Sequence, residues 1–227
     1  MVLETNLILF LTASLALIVA PGPDNILVLT RGIAQGRGAA LVSAAGASVG
    51  LVVHSTFAAV GLSALLQQSA VAFFVVKYAG AAYLIYLGIK ALLDRESFAV
   101  TGEAAPARLG SVFFQAVASN VLNPKVALFF LAFLPQFANP AAGGAAPQLL
   151  ALGLTFALLT WAIFSALGYF SGSLGNWLVS RPKLADGLRW LTGGVLIGLG
   201  LRLALTGSPV AQGSTSARDR GALIPRI

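Results

Sequence analysis

Residues 15–29 read Leu15-Ala16-Leu17-Ile18-Val19-Ala20-Pro21-Gly22-Pro23-Asp24-Asn25-Ile26-Leu27-Val28-Leu29, an apolar stretch cut at its centre by two prolines, a glycine and a carboxylate. Pro21 and Pro23 each remove a backbone donor and Gly22 adds conformational freedom, so a helix here must open or kink. The stretch lies inside a longer apolar run, 3–30, which at about 1.5 Å per residue is long enough to cross a hydrocarbon core of about 30 Å. A break bearing Asp24 at such a depth leaves backbone groups that lipid cannot satisfy, so it must be covered by protein, water or a bound solute.

Five more runs of the same kind follow at 39–66, 71–93, 112–134, 149–169 and 188–205. They predict an all-α polytopic membrane protein with six transmembrane helices. Composition agrees: 58% of the 227 residues are hydrophobic and only 9% charged, against roughly 25% charged in soluble domains. The intervening breaks, 35–38, 67–69, 94–106, 139–147 and 180–186, read as loops from their Gly, Pro and polar content. One transmembrane domain is expected over 1–207, with a polar, disordered tail at 208–227. The apolar start carries Glu4 and no Lys or Arg ahead of the run, so it reads as an uncleaved first helix and not a signal peptide.

With no cysteine in the chain, thiol nucleophiles, disulfides, iron–sulfur ligation and thiolate metal sites are excluded. No cofactor and no metal are expected. The net charge of +7 does not indicate nucleic acid, because the basic residues sit in short loops and at helix ends. Loops one, three and five hold them: Arg31 and Arg37, then Lys90, Arg95 and Arg108, then Arg181, Lys183 and Arg189. By the positive-inside rule these loops face the cytoplasm and both termini face outward.

The third and sixth runs share a pattern of base, aromatic, small residues, Leu-Gly and base. Lys77-Tyr78-Ala79-Gly80-Ala81 leads to Leu87-Gly88-Ile89-Lys90, and Arg189-Trp190-Leu191-Thr192-Gly193 leads to Leu199-Gly200-Leu201-Arg202. Copies separated by three helices run in opposite directions, so the chain is expected to be two inverted three-helix repeats, about 3–93 and 112–205. The first and fourth helices then correspond, and the fourth carries its own interruption, Asn120-Val121-Leu122-Asn123-Pro124-Lys125. Paired interruptions in two halves are the sequence mark of a transport site at the bilayer midplane.

The candidate substrate or coupling residues are Asp24, Asn25, His54, Asn120, Asn123 and Lys125, at breaks formed by Pro21, Gly22, Pro23 and Pro124. Asp24, His54 and Lys125 are the ionisable groups deep within spans, and each needs a partner or a wet cavity. Asp24 and Lys125 can supply each other. For an amino-acid solute a carboxylate suits the ammonium group, while a lysine or a half-helix N-terminus suits the carboxylate. The asparagines offer donors and acceptors to either end. Asp24 or His54 is the candidate for proton coupling. His54 lies on one helix face with Gly46 and Gly50, which predicts close packing of that face on another helix. Gly46-Ala47-Ser48-Val49-Gly50 also matches a hydrolase nucleophile pattern, but that motif requires a strand-to-helix elbow.

At these residues the sequence resembles the LysE/RhtB family of bacterial amino-acid exporters over roughly 3–207. The resemblance rests on Pro21-Gly22-Pro23-Asp24, the Gly36-Arg37-Gly38 loop, Leu51-Val52-Val53-His54, Lys77-Tyr78-Ala79-Gly80-Ala81-Ala82-Tyr83-Leu84, and Asn123-Pro124-Lys125 followed by Phe129-Phe130-Leu131. It implies six helices in the bacterial inner membrane and efflux of amino acids such as homoserine, threonine, leucine or lysine by proton exchange, with Asp24 and Lys125 leading the site. A homodimer through a Gly-rich helix such as 193–200 fits the small size of the chain. Export of a cation, a membrane enzyme, and an assembly subunit without transport are the competing readings. A cation site wants several carboxylates or imidazoles. A hydrolase would need its nucleophile and base on one face, whereas Ser48 and His54 are six residues apart on one helix.

Overall fold

A computed structural model describes residues 2–62, 70–93, 105–138, 144–171 and 182–205. Loop two, most of loop three, part of loops four and five, and the expected tail lie outside these residues. The helices are α1 (Val2–Val19), α2 (Pro23–Gln35), α3 (Arg37–Phe57), α4 (Ala70–Leu93), α5 (Leu109–Val121), α6 (Pro124–Leu128), α7 (Ala145–Tyr169) and α8 (Pro182–Leu205). A π-helical turn, Ala58–Leu62, extends α3; a second, Phe129–Phe133, followed by a 3-10 turn, Leu134–Phe137, extends α6. Among the described residues there is no strand.

Among the described residues, three stretches are each long and apolar enough to cross a membrane: Arg37–Gly61, Phe74–Leu93 and Ala145–Tyr169. Two further candidates are bent pairs, Leu7–Val19 with Pro23–Gln35 at 54° and Leu109–Val121 with Pro124–Phe137 at 46°, giving five if each pair is one span. The bends fall at the two interruptions read in the sequence. The sixth run lies in α8 and is not among these five. Loop one shrinks to a single residue, because α2 runs through Gln35 and α3 starts at Arg37. Gly36 makes that turn at φ 84°, a left-handed conformation that glycine adopts without a Cβ clash.

The exterior is apolar and the interior partly polar, the reverse of a soluble domain. Phe57, Val60, Phe114 and Leu158 are exposed, whereas Ser14, Ser43, Asn120 and Thr160 are buried. Hydrophobic burial from water therefore cannot hold these helices together, and close backbone approach must contribute. Small residues provide it. A Cβ at Gly88 would meet the Gly193 carbonyl at 2.7 Å and Ile197, and one at Gly200 would meet the Ala81 carbonyl at 2.8 Å and Ile85. Rising numbers on α4 thus meet falling numbers on α8, so the two run antiparallel. α3 and α7 do the same, with Gly153 against Ser55 and Gly168 against Ala40. The Gly46 and Gly50 face of α3 packs on α5, where added Cβ atoms would lie 2.5 Å from the Phe113 carbonyl and 2.7 Å from the Asn120 side chain.

Beyond the second bend, aromatic rings fill the core. Phe129 stacks at 5.0 Å on Phe133 and 5.2 Å on Phe156, and Phe137 lies 5.0 Å from Phe133 and 5.4 Å from Phe10. At the other end of α2 the closure is polar. Arg31 donates to Gln35 at 2.6 Å, to the Ala105 carbonyl at 2.9 Å and to Gln115 at 2.8 Å. Gln35 in turn donates to the Ala107 carbonyl at 2.9 Å, tying α2 to the segment that enters α5.

Candidate functional site at the helix breaks

Both breaks share a local plan: an extended cap residue, proline as the first helical residue, and a charged residue second. In one it is Gly22-Pro23-Asp24, in the other Asn123-Pro124-Lys125. Proline suits that first position because its missing N–H would have no helical partner there. Asn123 caps its own helix by accepting from the Lys125 backbone N–H at 3.0 Å, while Gly22 has no side chain with which to cap.

The two breaks meet. Asp24, 4% exposed, accepts three hydrogen bonds from the opposite helix: from Ser119 at 2.9 Å, Asn120 at 2.8 Å and Asn123 at 3.0 Å. Lys125, 8% exposed, donates across to the carbonyls of Ala20 at 2.9 Å and Leu17 at 3.2 Å. Those carbonyls belong to the last turn of α1 and to the break, where helical donors have run out, and a cation is favoured at that end of the helix dipole. The Asp24–Lys125 pairing open to these two residues is not formed: each charge is held by polar groups of the other break. Gly22 allows this approach, since a Cβ on it would sit 2.9 Å from the Lys125 ammonium.

Two acceptors remain uncommitted. Asn25 donates its amide to the Ile18 carbonyl at 2.8 Å, and Asn120 donates its amide to Asp24. Neither acceptor can donate, so both amides are oriented by their partners. This leaves the buried side-chain oxygens of Asn25 and Asn120 without a hydrogen bond. Such oxygens suit a ligand that brings N–H donors. His54 points at the same place. Its Nε2 lies 3.1 Å from the backbone carbonyl of Asn120, which can only accept, so Nε2 carries the proton. The ring packs 5.7 Å from Phe130.

Two cavities adjoin the breaks and share Lys125. The smaller, about 20 Å³, is walled by Asp24, Asn25, Asn120 and Thr160 together with Leu51, Phe156 and Phe164. The larger, about 260 Å³, lies on the other side of the breaks between Pro21, Gly22, Pro23, Asn123, Pro124 and the helices α4 and α8, which supply Tyr83, Leu87, Lys90 and Leu196. All six candidate polar residues thus converge at the breaks. Sequence reading missed Ser119, Thr160 and Tyr83 as site residues, and took Lys90 as a marker of topology and of the repeat. Ser119 could have been found as the hydroxyl beside Asn120; Thr160 and Tyr83 carry no local signal, because only helix packing brings them to the cavities.

A helical membrane protein with two facing helix breaks and buried charges has the construction of a membrane transporter. The chain belongs to the LysE type translocator family, whose model matches residues 15–207. It is 30% identical over 195 residues to an uncharacterized membrane protein of Vibrio cholerae, covering 86% of this chain and 94% of that one. It is 30% identical over 198 residues to a leucine efflux protein of Enterobacter sp. (strain 638), covering 86% and 93%. It is 32% identical over 195 residues to a homoserine/homoserine lactone efflux protein of Salmonella typhimurium, covering 86% and 94%. No solved structure matches the chain.

Proposed function

We propose that this protein exports small amino acids across the bacterial inner membrane by proton exchange, using six transmembrane helices arranged as two inverted three-helix repeats, with both termini periplasmic. The observation that carries the reading is the meeting of the two breaks, which gathers a carboxylate, a lysine and two uncommitted buried amide oxygens at one place. The amide oxygens beside Asp24 are suited to an ammonium group, and Lys125 to a carboxylate. Efflux relatives named for leucine and for homoserine support an amino-acid solute, and membership of a translocator family favours transport over catalysis.

The repeat reading draws support from the antiparallel pairs. Adding 112 to a residue number in α4 gives its counterpart in α8, and under that exchange the contact of Gly88 with Gly193 and Ile197 becomes the contact of Gly200 with Ala81 and Ile85. Inverted repeats related by a two-fold axis in the membrane plane produce this reciprocity. Proton exchange is assigned to Asp24 and His54, which are joined through opposite ends of one residue, Asn120.

The test is efflux from proteoliposomes loaded with labelled amino acids under an imposed pH gradient. Wild-type protein is expected to move a small amino acid faster with the gradient than without it. Asp24→Asn is expected to abolish export while still reaching the membrane, because the charge is lost and the amide keeps one acceptor oxygen while setting its N–H2 against either Ser119 or the amides of Asn120 and Asn123. Undiminished export by that variant ends the role of Asp24. Absence of flux for every amino acid tried ends the export reading and favours an assembly subunit.

A further inference from the structure

The larger cavity has a charge composition that amino-acid export does not by itself require. Its lining brings together Lys90 and Lys125, Tyr83 and Asn123, with Leu87 and Leu196 as apolar residues. Among the described residues no carboxylate lines it. Asp24 lines the smaller cavity instead, with its oxygens committed to Ser119, Asn120 and Asn123.

We infer that this cavity receives the carboxylate and side chain of the transported amino acid, and that Lys90 is a specificity-determining residue that favours neutral side chains over cationic ones. The inference rests on the amino-acid reading above. An ammonium group held by the Asn25 and Asn120 oxygens sits in a space of about 20 Å³, which has no room for the rest of the molecule. The remainder must extend past Lys125, the residue common to both cavities, into the space of about 260 Å³. A carboxylate there meets two cations. A short aliphatic or hydroxylated side chain meets Leu87, Leu196 and the Tyr83 hydroxyl. The second ammonium of free lysine, or the guanidinium of free arginine, meets two like charges with no facing carboxylate, and repulsion of this kind is how a site rejects a competitor that otherwise fits.

Counterflow in proteoliposomes tests this, with free lysine measured against whichever of leucine, homoserine and threonine is carried best. In the wild type and in Lys90→Arg, free lysine is expected to move at least about tenfold more slowly than the neutral amino acid. Lys90→Glu is expected to raise the lysine-to-neutral ratio about tenfold, and Lys90→Gln to fall between. Should Lys90→Glu fail to assemble, the intermediate ratio of Lys90→Gln carries the test. Wild-type protein that moves free lysine as fast as the neutral amino acid overturns the inference and leaves the export reading standing. So does an unchanged ratio in Lys90→Gln or Lys90→Glu while neutral flux persists. Wild-type protein that moves no amino acid overturns both.

Discussion

The two breaks are built alike and satisfied differently. At Asn123-Pro124-Lys125 the backbone is served locally, because Asn123 caps α6 with its own side chain. At Gly22-Pro23-Asp24 there is no capping side chain; Asn25 serves the Ile18 carbonyl, but those of Leu17 and Ala20 depend on Lys125 from the other break. The bend is also larger, 54° against 46°. For the backbone the dependence therefore runs mainly one way: the first break draws on Lys125 of the second for two of its carbonyls, whereas the second uses the first to occupy side-chain donors, those of Ser119, Asn120, Asn123 and Lys125 itself. A pair of breaks that was merely stapled by an Asp–Lys bridge would be symmetric in this respect.

Exchanging the two charges is the strongest way to break that comparison. In Asp24→Lys/Lys125→Asp a direct ion pair would survive the swap, but here the new lysine would face three donors and the new carboxylate two carbonyls. Transport is expected to fall by about a hundredfold or more, with no rescue relative to either single change, because each buried charge loses its partners; proteoliposome efflux checks it. Removing Lys125 alone separates the two breaks. Lys125→Met is expected to destabilise the protein by about 3 kcal/mol and more than Asp24→Asn does, since it strips the buried Leu17 and Ala20 carbonyls of their shared donor. Thermal unfolding in detergent reads this difference, and equal losses would show that the dependence is mutual. The smallest effect is expected for Asn123→Ala, which removes the local cap and one donor to Asp24 at a cost of about 1 kcal/mol. The same measurement checks it, and a loss as large as that of Lys125→Met would mean that the second break is not self-sufficient.

Helix class, the apolar runs and the location of both bends were legible in the sequence because each has a local cause. Proline lacks a donor wherever it sits, and a run of apolar residues favours lipid whatever its neighbours. The Gly46-Gly50-His54 face was legible for the same reason, since spacing of four places residues on one side of a helix. The partner of Lys125 was not legible. Sequence reading paired it with Asp24 as the available opposite charge, but the carbonyls of Leu17 and Ala20 are backbone groups present at every residue, and nothing in their side chains marks them as unsatisfied. Loop one was read as four residues, because Gln35, Arg37 and Gly38 resemble loop sequence, yet a single left-handed glycine suffices to turn the chain.

Sequence alone thus determined that this is a helical membrane protein, that two of its helices break, and which polar residues lie at the breaks. These follow from properties of single residues and their spacing. Only the tertiary structure decided that Asp24 and Lys125 are held separately, that two amide oxygens are left uncommitted, and that Lys90 and Tyr83 face a cavity beside the breaks. Each of those depends on which orphaned backbone and side-chain groups the packing of distant helices brings within hydrogen-bonding reach.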